Sequence, residues 1–257
     1  MKNLKPIVIL IILAIPVLLK AQYSETISTD RPGQAIGTTG VGKRVVQVQT
    51  GLNTNWISFN DNYKSRTLLS NTVVRFGMLE WLELNGTFNW QDDKVEIGAE
   101  STNVSGVSAT EIGTRMNILG NKGAVPAIGF QASLLLKAQS ADYKRDKLGS
   151  KFMVTTGNSI NDWLSVSTNL GITWDGNGND PQSLYVLNFG FAITDRIGAI
   201  AEVYGSFNEF DANYDAGISY LVSNNVLLDL TAGWQGDSDV SDWFIDAGIS
   251  FRLDWRK

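Results

Sequence analysis

The chain has 257 residues, with 21 Lys+Arg against 26 Asp+Glu and a formal net charge of −5, and no basic block marks it as a nucleic-acid binder. Charged residues make up only 18%, against the roughly 25% usual in soluble domains, and glycine is plentiful at 25 residues. There is no Cys and no His, which removes disulfides, zinc–thiolate sites and a lipid-modified N-terminal Cys, along with the ordinary base of acyl and peptide hydrolases.

Lys2 and Lys5 make a basic start, Ile7 to Leu19 is apolar apart from Pro16, and Lys20-Ala21-Gln22 follows. The apolar run is too short to span a bilayer comfortably, so residues 1–22 read as a secretory signal peptide and the mature protein as exported. Tyr23 to Gly42 shows no alternation and contains Asp30-Arg31-Pro32-Gly33 among several Gly and Thr. Residues 23–43 therefore read as an extended periplasmic leader with a turn.

Period-two alternation then begins and continues to the end of the chain. Val46, Val48, Thr50, Leu52, Thr54 and Trp56 share one face against Gln47, Gln49, Gly51, Asn53 and Asn55. Leu68 to Phe76, Leu82 to Trp90, Ile112 to Ile118 and Ile128 to Lys137 repeat the pattern, with Asp92 to Gly106 read as a long polar loop. Further strands follow at Lys151 to Thr156, Leu164 to Trp174, Tyr185 to Phe191, Ala201 to Phe207, Asn213 to Tyr220 and Leu228 to Trp234. The last, Asp242 to Trp255, sets Trp243, Ile245, Ala247, Ile249, Phe251, Leu253 and Trp255 against Asp246, Gly248, Ser250, Arg252 and Asp254.

Connections alternate between tight turns and longer polar loops, and the Trp residues stand at strand ends in two belts. The polar face is rich in Gly, Ser, Asn, Gln and Thr, which suits a confined lumen. Residues 44–257 thus read as all-β: a single antiparallel transmembrane barrel of about 12 strands, with short periplasmic turns, longer extracellular loops and its last strand paired to its first.

Thr29-Asp30-Arg31-Pro32-Gly33, just after the signal peptide, carries a family resemblance, as does Val74-Arg75-Phe76-Gly77-Met78-Leu79-Glu80-Trp81-Leu82-Glu83-Leu84. The second stretch is similar to an arginine–aromatic–glycine strand end, a turn and a glutamate-bearing strand. Together they resemble the outer-membrane channel proteins grouped as phenol-degradation meta-pathway or "transporter family" barrels. The resemblance implies an outer-membrane channel or transporter and leaves the solute open, aromatic and amphipathic molecules included.

Alternation places Glu83, Glu111, Glu202, Asp215, Asp229, Asp246 and Asp254 inward, against Arg75, Arg115, Lys137, Lys151 and Arg252. These charges read either as a lining for polar solutes or as ion pairs that let buried charges share a narrow bore. Arg75 and Glu83 are equidistant from Leu79 and are expected to face each other across a hairpin. Asp30, Arg31 and Pro32 read either as a plug or lid, with Arg31 pairing a lumen carboxylate, or as a turn before the first strand.

Asp175-Gly176-Asn177-Gly178-Asn179-Asp180 begins like a calcium loop, but Asp180 stands where Gly is needed and Val186 where the closing Glu belongs. Asp237, Asp239 and Asp242 read as a solvated acidic loop, so no metal and no cofactor is expected. The expected role is a non-enzymatic channel for small solutes, with a structural or adhesive barrel acting through its loops as the alternative. Expected partners are outer-membrane lipid and lipopolysaccharide, the solute, and barrel-assembly machinery engaging the C-terminal strand.

Overall fold

The computed structural model of the chain describes residues 24–59, 62–208, 210–235 and 240–255. The signal peptide expected over residues 1–22 lies outside them. β1 (Val45–Phe59), β2 (Tyr63–Leu79), β3 (Leu82–Ile97), β4 (Glu100–Leu119), β5 (Ala127–Leu135) and β6 (Gly149–Ser159) form the first half of the wall. β7 (Leu164–Trp174), β8 (Gln182–Ala192), β9 (Ile197–Gly205), β10 (Asn213–Ser223), β11 (Val226–Gln235) and β12 (Ser241–Asp254) complete it. Each strand pairs with its sequence neighbours, and β1 pairs with β12 from Val45↔Asp254 to Ser58↔Ser241, closing the barrel. Closure leaves no sheet edge, which is what a strand assembly in hydrocarbon requires.

The distribution of side chains is that of a soluble protein turned inside out. Leu52 and Ile218 on the outer face are each 57% exposed, whereas Gln47 on the inner face is 1% exposed and Glu83 is fully covered. One face of every strand meets lipid and the other meets a confined interior, so the period-two pattern marks depth in the wall. The indoles mark the membrane rims: Trp56 and Trp243, paired in the β1–β12 register, stack with ring centroids 4.1 Å apart.

The stretch Asp92 to Gly106, expected as a loop, is strand on either side of a two-residue turn at Gly98 and Ala99. β3 runs to Ile97 and β4 begins at Glu100, and the pairing continues to Ile97↔Glu100. Strands of about 9–11 residues suffice to cross the hydrocarbon, so the ends of β3 and β4 stand above it, wet on both faces. The ladder persists there while the apolar alternation that reveals a strand is lost. Trp90 accordingly lies well inside β3 rather than at its end. A register shift between Asn89 and Trp90 accompanies the step out of the membrane. The loop after β5 folds back on this hairpin: the Tyr143 hydroxyl donates to Asp93 Oδ2 at 2.8 Å, and Val107 N donates to Ser140 Oγ at 2.9 Å.

Candidate functional site

Residues 24–44 enter the barrel from the turn rim and run once around the inside of its wall. At the start, Arg252 on β12 donates to the carbonyls of Ser24 and Glu25, and Ile27 N donates to the Asn224 carbonyl at 2.8 Å. Gln47 and Arg75 then donate to the Ser28 carbonyl at 2.8 and 3.4 Å. Further round, Gln34 N and Ala35 N donate to the Glu202 carboxylate of β9 at 2.5 and 3.1 Å. Asn169 of β7 makes a two-way clamp, accepting from Ile36 N at 2.7 Å and donating to the Ile36 carbonyl at 3.0 Å. Asn117 of β4 donates to the Thr38 carbonyl at 3.1 Å, and Val41 N donates to Glu83 at 3.0 Å. The circuit ends where Arg44 N donates to the Gly77 carbonyl at 2.9 Å, back at the rim where it began.

This segment forms no strand of its own, so its backbone groups need partners that the ladder does not supply. The wall provides them as amides and carboxylates aimed inward. Glu202 is itself fixed by Asn188, whose Nδ2 donates to it at 2.5 Å.

The centre of the circuit is ionic. The Asp30 carboxylate accepts from Arg115 Nη1 and Nη2 at 2.9 and 2.7 Å, and Arg75 stands 3.6 Å away. Arg75 also forms a fork to Glu83 with both contacts at 2.9 Å. In the register Glu83 faces Gly77 and Arg75 faces Asn85, because the turn is centred on Glu80 and Trp81 rather than on Leu79. The pair therefore forms diagonally rather than directly across the hairpin, a reach long side chains manage. Arg31 points the other way: its Nε donates to both oxygens of Asp229 at 3.1 and 3.2 Å, and its Nη2 pairs with Asp246.

Glycine makes room for this guanidinium. Gly51 and Gly248 are register partners on β1 and β12, and a Cβ at either would overlap the Arg31 side chain. We expect Gly248→Val to evict Arg31 and leave the wall intact. Limited proteolysis should then cut the leader of the variant at protease concentrations that spare the unaltered protein, with the barrel fragment resistant in both.

Residues 29–253 match the family described as "Putative MetA-pathway of phenol degradation". The chain belongs to that family. The match takes in Asp30-Arg31-Pro32-Gly33 as well as all but the end of the last strand, so the segment within the lumen and the wall around it are parts of one family unit. Among solved structures, the fold is similar to the COG4313 outer membrane channel from Pseudomonas putida F1, with a TM-score of 0.62 at 8% identity over 86% of this chain and 100% of that one. It is also similar to the translocator domain of autotransporter NalP from Neisseria meningitidis, with a TM-score of 0.53 at 11% identity over 82% of this chain and 89% of that one. The KdgM porin in complex with disordered oligogalacturonate gives a TM-score of 0.52 at 13% identity over 79% of this chain and 98% of that one. No curated protein matches the chain.

Among the charged positions singled out in the sequence of this family member, Arg75, Glu83, Arg115, Glu202, Asp229, Asp246 and Arg252 all contact residues 24–44. Glu111 and Lys151 instead pair with each other at 3.6 Å, nearer the loop rim. Lys137 is not on the wall. β5 ends at Leu135, and Lys137 is exposed in the following loop with its Nζ donating to the Asp146 carbonyl at 2.5 Å. Pro32 lies against Gly217 of β10.

Sequence reasoning passed over the amides Gln47, Gln49, Asn117, Asn169 and Asn188, all buried on the inner face. It also passed over a group of inward apolar residues. Leu135, Met153, Val186 and Phe244 are each buried and lie in the loop-rim halves of their strands. Their parity was the available signal, since Met153 and Phe244 break an otherwise polar series.

Proposed function

We propose that this protein is a gated solute channel of the bacterial outer membrane, closed on its periplasmic side by residues 24–44 and opened when that segment moves aside. The observation that carries the reading is how the segment is held. Its partners are largely amides, carboxylates and guanidinium groups on the wall, and Ile27 and Val41 are its buried apolar side chains. Neutral polar contacts exchange with water at a net cost of about 1 kcal/mol each, the ion pairs cost more until other charges replace them, and an apolar core has no such replacement. A segment so held stays ordered in a closed lumen and can leave it.

The lumen beyond the segment combines amides such as Asn53, Asn71 and Asn89 on the β1–β3 side with Leu135, Met153, Val186 and Phe244 elsewhere on the wall. That mixture suits small solutes with both apolar and polar parts, in keeping with an amphipathic or aromatic cargo. Lipid and lipopolysaccharide surround the wall, and the final strand is the contact for the assembly machinery. The role is passage rather than catalysis.

Planar-bilayer recording of the full-length protein tests the reading. We expect a closed baseline broken by discrete openings. A barrel silent at every voltage, or one open without interruption, would refute a gated channel.

A further inference from the structure

We propose that the lumen contains a two-ended site for a small zwitterion, a solute with a carboxylate at one end and a guanidinium or ammonium at the other, and that Asp30 and Arg31 occupy it as a built-in stand-in. The proposal rests on the reading that residues 24–44 leave the lumen, and it names what takes their place.

Two consecutive residues send opposite charges to opposite parts of the wall. Asp30 reaches Arg115 and Arg75 on β4 and β2, and Arg31 reaches Asp229 and Asp246 on β11 and β12. The anion end keeps braces within the wall besides the bonds that Arg75 makes to the Ser28 and Thr39 carbonyls of the leader. Arg75 is braced by Glu83 at 2.9 Å, and Arg115 by Gln131 Oε1 at 3.1 and 2.9 Å from its Nε and Nη2. Receiving groups held in place this way bind without a further ordering cost.

The cation end has the shape of its guest. Gly51 and Gly248 leave a bare backbone floor on which a flat guanidinium lies, with a carboxylate on either side. Among the described residues, Arg31 is the sole cation within ion-pair distance of Asp229 and Asp246. Glu202 and Asp215, opposite one another in the β9–β10 register and both buried, extend the same acidic wall.

When Arg31 leaves, those carboxylates face a narrow lumen with no partner of their own, a state that confined charges avoid. A cation from solution has to replace it, just as an anion replaces Asp30 at the arginines. One molecule carrying both charges satisfies both ends and immobilises once, which favours it over two separate ions.

The test uses the full chain with Asp30→Ala and Arg31→Ala together, probed with acetyl-Asp-Arg-amide, which has the same span between its charges as the residues removed, and, separately, with acetyl-Asp-Ala-amide and acetyl-Ala-Arg-amide. Isothermal calorimetry of the detergent-solubilised protein should show one molecule of acetyl-Asp-Arg-amide per barrel. Each single-charge probe should bind about tenfold or more weakly. Asp229→Asn added to the double variant should abolish the zwitterion's advantage over acetyl-Asp-Ala-amide. If the double variant misfolds, D30N/R31Q serves instead. Equal affinity for the three probes, or binding that ignores D229N, would overturn the proposal. Bilayer recordings of the same variant separate it from the gating reading. A variant that conducts but binds no zwitterion loses the site and keeps the channel. One that binds it yet never conducts keeps the site and loses the channel.

Discussion

Deleting residues 24–40 is expected to turn a mostly closed protein into a steadily open pore, with time-averaged conductance rising by about an order of magnitude. A barrel of this strand number has a backbone radius on the order of 12 Å, and side chains alone leave a bore of up to ~10 Å. Residues 24–44 cross that bore at the level of Asp229, Asp246, Arg75 and Arg115. Without them the wall presents Glu83, Glu202, Asp215, Asp229 and Asp246 against Arg75, Arg115 and Arg252, so the open pore should favour cations in a reversal-potential measurement under a KCl gradient. An unchanged conductance would place the closure elsewhere, the loop around Tyr143 being the next element to remove. A pore that opens but favours anions would mean that the acidic side of the wall is neutralised.

The second large effect is on stability. Glu83→Ala should cost up to about 3–5 kcal/mol, because it removes one of the two carboxylates of a buried cluster and leaves Arg75 and Arg115 to share Asp30. Glu83 is fully covered and Arg75 is 2% exposed, so water does little to screen the change. The same carboxylate accepts from Val41 N, so the leader loosens with it. Glu83→Gln should cost less, since an amide still accepts from Val41 N. Replacing both partners, as Arg75→Met with Glu83→Met, should recover a substantial part of the loss because no lone charge is then buried. Equilibrium unfolding in denaturant, followed by intrinsic Trp fluorescence in detergent or lipid, measures all three. A wild-type midpoint for Glu83→Ala would show the cluster to be hydrated.

The barrel was legible because lipid on one side and a confined lumen on the other impose opposite chemistry on alternate residues, as β12 displays from Trp243 to Asp254. Where that contrast fades, as at Asp92 to Gly106, strand and loop look alike from composition. The inward charges were legible for the same reason, since parity alone sends Asp229 and Asp246 inside. Lys137 misled because parity says nothing about where a strand stops. The route of residues 24–44 could not be read, because a segment without regular structure has no period. Only the charge of Arg31 suggested a lumen carboxylate as its partner. Which carboxylates it meets depends on strands lying about 200 residues further along the chain. The diagonal setting of Arg75 and Glu83 depended on a turn centred at Glu80 and Trp81, between the paired Leu79 and Leu82, which equal spacing about Leu79 does not reveal.

Residues 24–44 begin and end at the same mouth of the cylinder, near Asn224 at one end and beside Gly77 at the other. Such a path is a tucked loop and not a thread passed through a ring. A segment on such a path can enter a sealed cylinder without parting β1 from β12. If it moves as proposed, assembly and opening are uncoupled: the seam has to form only once in the life of the molecule, however many times the passage is cleared.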